Sequence, residues 1–129
     1  MKKVLISFVL VIIAGFIYSQ KTVTDIDGNV YKTVKIGKQV WLAENLKVTR
    51  YSNGALIPFI TDSVAWTGLA AGAYCNYRND TTIANIYGRL YNWYAAVDNR
   101  NVCPSGWHIP SDEEWAVLEK FLGGYLVAG

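Results

Sequence analysis

The chain has 129 residues, a formal net charge of +2 and two cysteines. That length suits one domain with a modest core. A charge this near neutral gives no electrostatic footing for a nucleic-acid partner.

At the N-terminus, Lys2 and Lys3 precede an apolar run from Val4 to Tyr18 that Ser19-Gln20-Lys21 ends. This is the basic start, apolar stretch and polar exit of a signal peptide, expected at residues 1–19 with the mature chain beginning at Gln20. As a helix the run reaches only about 22 Å, short of a hydrocarbon core of roughly 30 Å, so no stable membrane span is expected after cleavage. Loss of the leader removes two of the twelve basic residues and none of the ten acidic ones, leaving ten of each. Export makes the protein secreted or cell-surface, in an oxidising compartment where an even cysteine count favours a Cys75–Cys103 disulfide. Closing that 28-residue separation would restrict the unfolded chain by about 3–4 kcal/mol.

After the leader, Thr22-Val23-Thr24 and the stretch from Val30 to Ile36 alternate apolar or β-branched with polar residues, and Gln39-Val40-Trp41-Leu42 continues as a third short strand. Asp27-Gly28 and Gly37-Lys38 supply the turns, so the opening is a β-meander. From Tyr51 to Asn85 glycine, proline and short polar residues separate isolated aromatics, the pattern of loops carrying short strands. Ile86, Leu90, Trp93 and Val97 then fall on one helical stripe beside Tyr87, Tyr91 and Tyr94, which predicts a helix over Ile86–Asp98. A second helix starts at Ser111, whose hydroxyl can cap Glu114 while Glu114 returns a bond, and Pro110 stops it extending backwards. Trp115, Leu118, Phe121 and Leu122 repeat at three and four, and Gly123-Gly124 provides the stop. These elements make an α+β domain, a β-meander plus two helices.

The stretch Tyr87-Gly88-Arg89-Leu90-Tyr91-Asn92-Trp93-Tyr94-Ala95-Ala96, followed by Cys103-Pro104-Ser105-Gly106-Trp107-His108-Ile109-Pro110-Ser111-Asp112-Glu113-Glu114-Trp115, closely resembles the Fibrobacter succinogenes major paralogous domain family. Asp25-Ile26-Asp27-Gly28-Asn29-Val30-Tyr31, the stretch from Gln39 to Leu46 and the stretch from Tyr74 to Asp80 extend the resemblance to residues 22–123. It implies a bacterial secreted or surface protein whose biochemical role is undefined. It also implies a C-type-lectin-like fold, similar to that of formylglycine-generating enzymes. Members of the family continue into a glycine- and tryptophan-rich second half that completes the sheet. Residues 20–129 therefore resemble the N-terminal part of the domain, incomplete at the C-terminus, with the second helix short of packing surface. The cysteine pair that serves the formylglycine-generating enzymes has no counterpart here, so their oxidase activity is not implied.

Among candidate sites, His108 is the only histidine and cannot build a metal site alone, so a packed or surface role is expected. Asp25-x-Asp27-Gly28-Asn29 has the oxygen spacing of part of a calcium loop but lacks its closing glutamate, and a hairpin turn accounts for the same residues. No metal and no cofactor are expected. No serine elbow, phosphate loop or base-partnered cysteine is present, which gives no footing for an enzyme. Aromatic residues remain. Trp93 and Trp115 lie on apolar helix stripes and are expected in the core. Trp66, Tyr74 and Tyr77 lie in the loop-rich region and are the ligand-binding candidates, although packing is the simpler reading for them too. The expectation is a non-catalytic extracellular module that binds a polysaccharide or a surface protein. The alternative is a structural component of the bacterial envelope with no small ligand.

Overall fold

A computed structural model describes residues 21–128; the leader expected at residues 1–19 lies outside the described residues. The β-meander forms as its periodicity predicts. Strands β1 (Thr22–Thr24), β2 (Val30–Ile36) and β3 (Gln39–Leu42) pair antiparallel in the order β1-β2-β3. Gly37, at φ 59°, opens the two-residue turn into β3, where a side chain would be strained.

The β1–β2 turn is held by Asp25, which is buried. Its Oδ1 accepts from the amides of Asp27 and Asn29, both at 2.9 Å. Its Oδ2 accepts from Asn29 Nδ2 at 2.8 Å and from the Tyr31 hydroxyl at 2.6 Å. Asp27 reaches further along the chain, its Oδ2 accepting from the amide and hydroxyl of Thr49. The carboxylates of the calcium-like segment are thus spent on the turn and on docking Thr49, as the hairpin reading has it.

The second unit is a two-stranded ladder of β4 (Tyr74–Cys75) and β5 (Leu90–Tyr91), with short helices α1 (Ser63–Thr67), α2 (Thr81–Tyr87) and α3 (Trp93–Ala96) around it. Val48, Tyr51, Ile57, Tyr74, Ala95, Val102 and Cys103 form the core cluster between this unit and the loops. Helix α4 (Asp112–Phe121) and the turn of helix α5 (Tyr125–Ala128) follow. The architecture is α+β. Among the described residues no helix is long and apolar enough to cross a membrane.

Two expectations are corrected here. The Ile86–Asp98 helix is not formed. Gly88 ends α2 at φ 86°, and a Cβ there would lie 2.6 Å from Asn45 Cβ and 2.8 Å from the Leu46 carbonyl. The Arg89 amide then donates to that carbonyl at 2.9 Å, so pairing with a distant segment replaces the next helical turn. Trp93 is consequently not in the core but 73% exposed.

The Cys75–Cys103 disulfide is also absent, both residues being free thiols. Strand geometry explains it. Tyr74 points into the cluster that holds Cys103, and successive side chains on a strand face opposite ways, so Cys75 points out of that cluster, beside Leu90. Burial pushes the Cys103 thiol up to about 11 and raises that of Cys75 as well.

Candidate functional site

Strand β3 and helix α4 come from opposite ends of the chain, and specific bonds bring them together. Gln39 Nε2 donates to the Glu114 carbonyl at 2.9 Å, while Gln39 Oε1 accepts from Trp41 Nε1 at 3.3 Å. At the other end of α4, the Phe121 ring lies against Gly37, within 2.9 Å of where a Cβ would be. Trp41 and Trp115 meet across this junction with ring centroids 4.8 Å apart and planes inclined by 45°.

Between β3, the segment Gly106–Pro110 and the start of α4 lies an open groove of about 810 Å³. Trp41, Trp107 and Trp115 give it apolar walls, and Lys38, Glu44, Asn45, His108 and Glu114 give it a polar margin. Trp115 is 47% exposed, so its expected place in the core is corrected: it forms part of a groove wall. Trp107 is half-buried with its body against the core cluster, and Asn101 Nδ2 fixes its carbonyl at 2.8 Å.

The N-terminus of α4 is built as its sequence specifies. The Glu114 amide donates to Ser111 Oγ at 3.3 Å, and Glu114 Oε2 accepts from the Ser111 amide at 2.9 Å. The same carboxylate lies 2.9 Å from His108 Nε2. The Ser111 amide first, and His108 second, hold the Glu114 carboxyl below the usual range. This acid and this imidazole therefore serve to fix the cap and the groove margin.

The Fibrobacter succinogenes major domain matches residues 34–127. The chain belongs to this family. In this Fibrobacter succinogenes major domain the match spans β3, the Gly106–Pro110 segment and α4, so all three walls lie inside it. No curated protein and no solved structure matches the chain.

Elsewhere in the domain the three loop aromatics are dispersed. Tyr74 is buried, stacked on Phe59 with centroids 5.1 Å apart, and the Arg89 guanidinium lies 5.1 Å from its ring centre. It is a packing residue. Trp66 is half-buried on α1, and Tyr77 is exposed beneath Arg78. None of the three lines the groove. Trp41 and Trp107, which do, carry no signal in the sequence that would single them out, since their partnership with Trp115 is made only by the fold. Among the described residues no group of three or more His, Cys, Asp or Glu side chains is gathered for a metal ion.

Proposed function

We propose that this domain is a non-catalytic recognition module, secreted or held at the bacterial cell surface, that seats a glycan or protein ligand in the tryptophan groove. The observation that carries the reading is the open groove walled by Trp41, Trp107 and Trp115. Concave sites with apolar aromatic walls and a few polar groups at the margin are where ligands bind. The signal-peptide pattern of residues 1–19 supports export, and the lectin-like resemblance supports an extracellular binding role. The commitment of the Glu114 carboxylate to the α4 cap, with His108 bonded to it, supports recognition over catalysis.

The test is a tryptophan-fluorescence titration of the purified protein with soluble plant and host polysaccharides and with short peptides. A saturable response is expected that Trp115→Ala abolishes while near-ultraviolet circular dichroism still reports a packed fold. Binding that survives both Trp41→Ala and Trp115→Ala would remove the groove from the proposal. A folded sample that saturates with nothing would favour the structural role in the envelope.

A further inference from the structure

We infer that Asn53 is a modification site: its side-chain amide is lost through attack by the Gly54 backbone nitrogen, and the hairpin around it, docked through Ser52, gates the reaction. Asn53 is the only asparagine of the chain that precedes a glycine. The pairing matters because the reaction closes a ring over the next residue's backbone nitrogen, and glycine puts no Cβ in the way. Both residues are exposed. The space beside Gly54 is open, with no atom within 4 Å of where a Cβ would stand.

The chemistry needs no partner but water. The Gly54 nitrogen gives up its proton and bonds to Asn53 Cγ, the Cγ–Nδ2 bond breaks, and Nδ2 leaves as ammonia with that proton. Water then opens the cyclic imide. Cleavage of its Cγ–N bond leaves an ordinary aspartate at position 53. Cleavage at the backbone carbonyl carbon leaves an isoaspartate, whose main chain runs through Cβ and Cγ and is one carbon longer.

In the folded domain both reacting groups are occupied. The Gly54 amide donates to the Tyr51 carbonyl at 2.8 Å, and Asn53 Oδ1 accepts from the Ala55 amide at 3.0 Å. Beneath the turn the Tyr51 amide donates to the Ala55 carbonyl at 2.9 Å, and Arg50 bridges to Leu56. The hairpin is also docked on a distant segment. The Ser52 amide donates to the Asn101 carbonyl at 2.7 Å and its hydroxyl to the Arg100 carbonyl at 2.7 Å. Tyr51 is fully buried, with the Arg100 guanidinium 4.0 Å from its ring centre. A nitrogen whose proton is held by a carbonyl is not free to lose it and close on Cγ, so the reaction waits for the turn to open, and docking makes such openings rare. The lengthened isoaspartate chain cannot restore the Gly54–Tyr51 and Tyr51–Ala55 bonds in register. Each opening that reacts by that route leaves a permanent mark on the hairpin that anchors Tyr51.

The test follows the full chain at one mildly alkaline pH and one temperature, folded and in guanidinium chloride, by peptide mapping that separates aspartate from isoaspartate. In denaturant Asn53 should convert before every other asparagine, to a mixture of the two products. In the folded protein, confirmed by near-ultraviolet circular dichroism, it should convert at least about tenfold more slowly. Ser52→Ala removes one docking bond and leaves the Asn53-Gly54 pair intact. It should raise the folded rate about twofold or more, as loss of one hydrogen bond does, with the denatured rate unchanged. Equal rates in the folded and denatured protein would overturn the inference, as would another asparagine converting first in denaturant. A folded rate that Ser52→Ala leaves unchanged would also overturn it, because docking on Arg100 would then not be what holds the turn shut.

Discussion

Tyr51 and Gly72 show how tightly single residues are matched in the core. Tyr51 is fully buried, and its hydroxyl has no hydrogen-bond partner among the described residues. A Cβ on Gly72 would stand 2.0 Å from that hydroxyl and 3.1 Å from Ala95 Cα. The glycine is required for room, not for an unusual backbone angle. Gly72→Ala should therefore cost about 1–3 kcal/mol, as overpacking of a filled core does. Tyr51→Phe removes a buried hydroxyl left without a partner and should be near neutral. In the double variant the alanine should cost about 1 kcal/mol less than alone, because the hydroxyl it strikes is gone. Denaturant unfolding of the four proteins measures this, and strictly additive losses would show that the two positions do not press on each other. None of it is legible in the sequence, where Gly72 reads as one more loop glycine. Asp25 and Tyr31 differ in this respect. Their bonds lie within one turn, so Asp-x-Asp-Gly could be read as a hairpin before its long-range contacts to Lys47 and Thr49 were visible.

At the scale of elements, what could be read was whatever closes on itself over three or four residues. The capping box of α4 needs only Ser111 and Glu114, and the stop at Gly123-Gly124, with φ of 106° and 86°, is equally local. The aromatic stripe from Ile86 was periodic but misleading, because Gly88 is pressed against Asn45 and Leu46, more than forty residues earlier in the chain. The α4 cap also carries a pH dependence. Its Glu114 carboxyl is held below the usual range in the folded protein, so the charged form favours folding. That contribution is complete above the ordinary glutamate value of about 4.3 and is lost as pH falls through the lowered folded value. Glu114→Gln should accordingly melt at a lower temperature than the parent near pH 6, with the gap closing as pH approaches about 2. Thermal scans by far-ultraviolet circular dichroism decide it, and a gap that persists in strong acid would assign the effect to packing.

For the whole molecule, the composition argument for a disulfide failed for a reason that composition cannot contain. Pairing requires two side chains on the same side of the chain's own packing, and β4 turns Cys75 and Tyr74 to opposite sides. A thiol reagent should find two thiols per unreduced chain in denaturant. In the native protein half-buried Cys75 should react well before buried Cys103, whose thiol stays protonated at neutral pH. A denatured count of zero would restore the bridge. The groove illustrates the same limit. The sequence supplied its tryptophans and the helix that carries one of them, but the meeting of β3 with α4 is tertiary and leaves no periodic trace.

The tilted contact of Trp41 with Trp115 is also an optical device. Two indoles held this close couple their electronic transitions, and a coupled pair gives a signed couplet in circular dichroism whose size follows the angle between the rings. The proposed ligand seat thus carries a built-in chromophore pair, and whatever wedges beside these rings or tilts one against the other will register without any added dye.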